Sequence, residues 1–211
     1  MRMRRKPNLE KRLEQCAHLL IPQPETLRGK WLQTFGGANL HLELGCGKGR
    51  FITETARANP TDLFVALEKS DNVIVAALEL AVRENISNIK FINTIADDLE
   101  AFFSKGELSR IFINFCDPWP LNKHKKRRLT SKRFLEQYKE ILQPSGEVHL
   151  KTDDLSLYEF SLKELRDCEY SIVETSKNLH ENGRKGIMTE YEQKFYEREL
   201  PIHWCRAKIC E

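Results

Sequence analysis

Ile111-Phe112-Ile113-Asn114-Phe115-Cys116-Asp117-Pro118-Trp119-Pro120 is the stretch that decides how this chain folds. Its first three residues form a short apolar run of the kind shown by a strand buried on both faces. The run ends at Asn114. Pro118 has no N–H and pushes Asp117 into an extended conformation, so the strand cannot simply continue. A carboxylate, a flat aromatic ring and a stiff turn are thereby gathered at the carboxyl end of a strand, where open α/β sheets bind ligands. The cationic run Lys123-His124-Lys125-Lys126-Arg127-Arg128 follows at once. An acid and an aromatic beside a polyanion-binding segment point to an enzyme acting on a nucleic-acid base. The rival reading of the run is a solvated basic face.

Upstream, Leu40-His41-Leu42-Glu43-Leu44 reads as a strand that enters Gly45-Cys46-Gly47-Lys48-Gly49, with helical character from 51 to 57. Glycines allow the tight turn and let backbone N–H groups approach a ligand. The turn is not a P-loop, because Lys48 precedes Gly49 rather than Ser or Thr, and Leu42 stands where the first glycine belongs. It is not the dinucleotide fingerprint either, since Arg50 occupies the third glycine position. The pattern is acidic-x-Gly-x-Gly-x-Gly, with Glu43 as the acid. Leu63-Phe64-Val65-Ala66-Leu67 reads as the second strand, and Glu68 at its end is positioned to accept from ribose hydroxyls. A surface ion pair is the competing role for Glu68.

Residues 72–84 carry Val73, Ala76, Ala77, Leu80 and Ala81 at helical spacing, and residues 88–92 form a third strand. After it, Asp97 is a candidate acceptor near an adenine ring. Helix N-capping competes for Asp97 and for Asp98, ahead of a short helix carrying Leu99, Phe102 and Phe103. Residues 129–142 read as a helix ended by Gln143-Pro144-Ser145-Gly146. Residues 147–154 read as strand five, 155–165 as a helix, 170–174 as strand six and 202–209 as a final edge strand. Residues 176–188 lack periodicity and read as a mobile loop. Thr189-Glu190-Tyr191-Glu192 matches a capping box.

With 211 residues, 40% of them hydrophobic, the chain suits one α/β domain, expected at 31–211 behind a basic N-terminal arm at 1–30. That arm carries Arg2, Arg4, Arg5 and Lys6, and one short helix near residues 9–19. The net charge of +3 names no partner by itself. The six cysteines make no C-x-x-C, so no metal site is expected, and free thiols fit a reducing cytoplasm. Neither a secretory signal nor a membrane span is expected.

These residues carry a family resemblance. Glu43-Leu44-Gly45-Cys46-Gly47-Lys48-Gly49 resembles the first motif of class I S-adenosylmethionine-dependent methyltransferases. Asn114-Phe115-Cys116-Asp117-Pro118-Trp119-Pro120 is close to the N-F-S-D-P-W-P of bacterial tRNA (guanine-N7-)-methyltransferases. Lys126-Arg127-Arg128-Leu129-Thr130, Lys151-Thr152-Asp153-Asp154 and Met188-Thr189-Glu190-Tyr191-Glu192 are similar to blocks of the same family, in the same order.

The resemblance implies an α/β fold: a mostly parallel seven-stranded sheet with an antiparallel last strand and helices on both faces. It implies methyl transfer from S-adenosyl-L-methionine to N7 of a guanine in the tRNA variable loop, with S-adenosyl-L-homocysteine as product. By position it assigns Asp117 to the reaction centre. It assigns Glu43, Gly45, Gly47, Gly49, Glu68, Ile95, Ala96, Asp97 and Asp117 to the cofactor. For the substrate it implies Leu121, Lys123, Lys125, Lys126, Arg127, Arg128, Asp153, Thr189, Glu190, Tyr191 and Glu192. The chain departs from the pattern at Ile95, where the family usually has Asp, and at Leu121, where it commonly has Lys. Trp119 either stacks on the base or walls the pocket. The expected protein is a cytoplasmic monomer or homodimer whose partner is tRNA. The alternatives are an RNA-binding protein of weak or no activity on a methyltransferase fold, and an enzyme acting on small molecules.

Overall fold

A computed structural model describes residues 6–210. Arg2, Arg4 and Arg5 of the expected basic arm lie outside the described residues. Lys6 donates its backbone N–H to Asn72 Oδ1 at 2.8 Å.

Seven strands make one sheet: β1 (Leu40–Leu44), β2 (Leu63–Leu67), β3 (Ile89–Ile92), β4 (Leu108–Asn114), β5 (Leu142–Thr152), β6 (Tyr170–Ser176) and β7 (His203–Ile209). Their order is β3-β2-β1-β4-β5-β7-β6, and β7 is the one strand that runs opposite to the other six. Around the sheet lie α1 (Leu9–Gln15), α2 (Trp31–Phe35), α3 (Arg50–Ala58), α4 (Asp71–Arg83), α5 (Lys132–Ile141), α6 (Leu155–Asp167) and α7 (Glu190–Tyr196).

The two-residue period of the inner strands builds the layers. Leu40, Leu42 and Leu44 of β1, Leu63, Val65 and Leu67 of β2, and Ile111 and Ile113 of β4 point into one core. Phe134, Leu135 and Tyr138 of α5 cover it, together with Tyr158 and Leu165 of α6. Phe64, Ala66 and Phe112 point the other way and meet Ile52 and Ala56 of α3 and Ile74, Ala77, Leu78 and Ala81 of α4. Both faces are therefore dry, which is why these strands read as continuous apolar runs. Each fully buried large side chain contributes about 1.5–3 kcal/mol. From β1 the chain builds outward to β2 and β3, and from β4 it builds the other way. The carboxyl ends of β1 and β4 thus flank the switch point where such sheets bind ligands.

Four expectations change. The strand near 202–209 is not an edge: β7 inserts between β5 and β6, with His203, Cys205 and Ala207 buried, and β6 is the edge. Leu99, Phe102 and Phe103 sit on turns rather than a helix. Leu99 and Phe103 are buried, and Phe103 stacks on Trp31 at 5.6 Å, so packing fixes this segment without a regular helix. The residues expected as a helix stop, Gln143 to Gly146, belong to β5, which starts directly after α5 and carries a bulge opposite Ser109. The stretch at 177–188 has neither helix nor strand, yet Leu179, His180 and Met188 are buried, and Leu179 N–H donates to Ile202 O at 2.7 Å. Its two ends are anchored, while residues 181–186 between them are exposed.

Candidate active site

The glycine turn leaves β1 tied to β2: the N–H groups of Gly45 and Cys46 both donate to Leu67 O, at 2.8 and 2.9 Å. Gly45 and Gly47 have φ of +75° and +58°, and a Cβ on either would face open space. Backbone shape, not crowding, thus requires glycine there, and the turn leaves room for a ligand. Gly49 differs, because a Cβ would stand 2.6 Å from Ala77 Cβ on α4.

Three carboxylates converge on this crevice from three strand ends. Glu43 is 1% exposed; Asn114 Nδ2 donates to its Oε1 at 2.8 Å, while Oε2 is buried without a partner. Burial pushes its carboxyl up to about 7, while Asn114 and the Lys151 charge oppose the shift. Glu68 accepts from Gly47 N–H at 3.2 Å and Ser70 N–H at 2.9 Å. One bond on each oxygen leaves acceptor capacity for ribose hydroxyls. Asp117 is 65% exposed at its side chain, with Lys69 Nζ 3.6 Å away.

Asp117 lies on a constrained loop. Phe115 and Trp119, on either side of it, adopt φ of +53° and +43°, conformations costly for non-glycine residues. The loop is held by Phe115 N–H to Lys151 O at 2.8 Å, and by Arg128, whose Nε and Nη2 donate to Pro118 O at 2.9 Å and Trp119 O at 3.1 Å. Arg128 was expected to meet RNA. It is 3% exposed, with its guanidinium over the Phe160 ring, and it braces the loop from inside. Lys123, Lys125, Lys126 and Arg127 are exposed on a 3₁₀ turn (Asn122–Arg127), and Leu121 before them is exposed too. Arg127 covers the Trp119 ring at 4.9 Å, so Trp119 walls the crevice with one face already taken.

Two cavities of about 510 and 520 Å³ meet at Gly45, Phe115, Cys116 and Asp117. One holds Glu68, Ile95, Ala96, Asp97 and Trp119 in its wall. Asp97 is engaged by Arg133 Nη2 at 3.4 Å, while Asp98 Oδ1 accepts Ala101 N–H at 3.3 Å and so closes the turn that stands where a capped helix was expected. Ile95 is 54% exposed, a hydrophobic wall where an acid was the family expectation. The other cavity holds Glu43, Asp153, Thr189, Glu190, Tyr191 and Lys194. Tyr191 donates to Asp153 Oδ2 at 3.3 Å, and its ring lies 5.1 Å from that of Phe115. Glu190 pairs with Lys48 of the glycine turn at 3.0 Å.

Glu192 is the second correction among the expected substrate contacts. It is fully buried, bonded through both oxygens to Lys151 Nζ at 3.0 Å and through Oε1 to His180 Nε2 at 2.9 Å. With Thr189 it closes the capping box of α7. It orients Thr189, Glu190 and Tyr191 from inside the protein. Burial pulls the Lys151 ammonium below its ordinary value, and Glu192 opposes this. Sequence reasoning missed Lys151, His180, Phe115 and Asn114 as site-shaping residues. Lys151 opens the quoted Lys151-Thr152-Asp153-Asp154 block, and Asn114 and Phe115 open the Asn114-to-Pro120 block, but no role was assigned to them there.

Cys46 is buried and Cys116 half-buried, and burial raises both thiols, Cys116 to about 12. Among the described residues no group of His, Cys, Asp and Glu could hold a metal ion, and no helix is long and apolar enough to cross a membrane.

The Glu43 ionisation predicts a pH dependence. Between the ordinary value of 4.5 and about 7, the folded chain holds a proton that the unfolded chain has released. The stability this group contributes is therefore present below 4.5 and lost as pH rises to about 7. The melting temperature of the wild type, referred to that of Glu43→Gln, should fall between about pH 5 and pH 8. A flat difference across that range would remove the assigned ionisation.

A seven-stranded sheet with one reversed strand, and a crevice over β1 and β4, define a class I methyltransferase fold. Solved structures agree. The chain is similar to an antibiotic-related methyltransferase (TM-score 0.64, 15% identity, covering 85% of this chain and 92% of that one). It is similar to the 16S rRNA methyltransferase KamB (0.63, 15%, 89% and 92%). It is also similar to a SAM-dependent methyltransferase from Aquifex aeolicus (0.58, 12%, 97% and 100%). A family model described as "Putative methyltransferase" matches residues 37–205. The chain belongs to that family, the tRNA (guanine-N7-)-methyltransferases.

The residues present fit the methyl donor of this class, S-adenosylmethionine. The unpartnered Glu43 Oε2 suits a cationic amino group, Glu68 suits the ribose, and the space over Gly45 and Gly47 suits a chain passing close to the backbone.

Proposed function

We propose that this chain methylates N7 of a guanine in the variable loop of tRNA, with S-adenosylmethionine as donor. The observation that carries the reading is the charge layout of the crevice. Asp117, Asp153 and Glu190 line it, and so do Lys48, Arg50, Lys69, Arg127, Arg133 and Lys194. The acceptors suit the N1–H and N2–H₂ edge of guanine, and the cations beside them suit phosphates.

Bound S-adenosylmethionine supplies a sulfonium-activated methyl group and leaves as S-adenosylhomocysteine. Guanine N7 carries a lone pair and no proton, so no general base is required. The chain's own task is positioning and electrostatics. Glu43, the glycine turn, Glu68 and the Ile95-Ala96-Asp97 wall hold the donor. Asp117 accepts from the guanine edge and offsets the positive charge that forms on the base. Tyr191, oriented by Asp153 and by the ring of Phe115, borders the base. An N7 engaged in tRNA tertiary pairing requires partial extrusion of the guanine.

Labelled methyl transfer to unmodified tRNA, followed by nucleoside analysis, tests the reading: label in 7-methylguanosine supports it, and label in another nucleoside or none rejects it. A second expectation concerns the exposed cations. Changing Lys123, Lys125, Lys126 and Arg127 to Gln should flatten the salt dependence of tRNA binding by roughly 0.7–0.9 per lost phosphate contact. An unchanged slope would make the run a solvated face.

A further inference from the structure

We propose that the exposed turn at 181–186, carrying Arg184 and Lys185, is a second phosphate-docking arm for tRNA, on the α7 flank of the crevice. The proposal rests on tRNA being the substrate. Arg184 and Lys185 are exposed, and no hydrogen bond or ion pair engages either side chain among the described residues. The turn also carries Glu181, one acid against two cations.

The turn is held by an expensive device. Lys185 N–H donates to His180 Nδ1 at 3.2 Å, and His180 is anchored on Glu192. On the other side of the turn, Lys151 Nζ donates to Ile187 O at 2.9 Å. A buried ammonium and a buried carboxylate are thus spent on fixing a surface turn that adds no strand and no helix. Charges taken out of water are weak contributors to stability, so a fixed turn is the more telling outcome. The same cluster sets α7, whose first turn brings Glu190 and Tyr191 to the crevice. The backbone that carries the two cations is therefore tied to the same cluster as α7. The opposite flank is built alike: Arg127 is fixed on Trp119, which Arg128 braces through its backbone. A strand whose base enters the acidic centre would have cations to meet its phosphates on both sides.

The test is binding of unmodified tRNA to the full chain over about 50–200 mM salt, with wild type, R184Q/K185Q and R184K/K185R. In R184Q/K185Q the plot of log affinity against log salt should flatten by about 1.4–1.8, for two lost contacts. Affinity at the lowest salt should fall on the order of tenfold. Binding of S-adenosylhomocysteine and the melting temperature should not change, and R184K/K185R should keep the wild-type slope. An unchanged slope and affinity in R184Q/K185Q overturns the arm, as does an equal loss in R184K/K185R or a wild type that shows no salt-dependent tRNA binding. The two readings fail separately. Methyl transfer to tRNA with an unchanged slope in the variant rejects the arm alone. A slope lost in the variant, with no methyl transfer by the wild type, rejects the reaction alone.

Discussion

Replacing Asp117 with Ala should lower methyl transfer to tRNA on the order of 10²–10³-fold, the usual loss when a group aimed at developing charge is removed. The side chain is 65% exposed and its one ionic neighbour, Lys69, stands 3.6 Å off, so the fold does not depend on it. The loop keeps its shape without it, because the struts are Arg128 and the backbone bond to Lys151 O. Melting temperature should therefore hold, and S-adenosylhomocysteine should still bind through Glu43 and Glu68, if less tightly. Asp117→Asn separates the two roles. It keeps one acceptor toward the guanine edge and removes the charge, and should fall between wild type and Ala. Full activity in Asp117→Ala would reject the assigned role. A collapse of melting temperature would instead make the carboxylate structural.

The largest stability effect should come from Lys151→Met. Glu192 is fully buried and takes both of its Lys151 bonds at 3.0 Å, so the substitution leaves a carboxylate in a dry site with only His180 and the Thr189 N–H. Breaking a buried pair from one side costs about 3–5 kcal/mol, which for a chain of this size lowers the melting temperature by roughly 6–20 °C. Since the Lys151 charge also holds the Glu43 carboxyl down, the same variant should push Glu43 further up. The double variant Lys151→Met/Glu192→Leu should recover much of the stability without recovering methyl transfer, because α7 loses its capping box. A drop in melting temperature of under about 2 °C in the single variant would mean the pair is not the keystone described here.

Chain order alone determined the apolar strands, the glycine bend after β1, and the acids at the ends of β1, β2 and β4. Those features are local: period, chain stiffness and the φ freedom of glycine act within a few residues. Only tertiary packing decided the rest. Arg128 and Lys126 stand in one charge run, yet Arg128 turns inward, where carbonyls nine and ten residues away accept from its guanidinium. Glu192 looked like a substrate contact and became the buried partner of a lysine 41 residues distant. The stretch at 177–188 has no periodicity, and β7 had no sequence mark of lying inside the sheet. In each case the side chain's direction is set by a partner far along the chain, and pairing over that separation is settled only when the sheet closes.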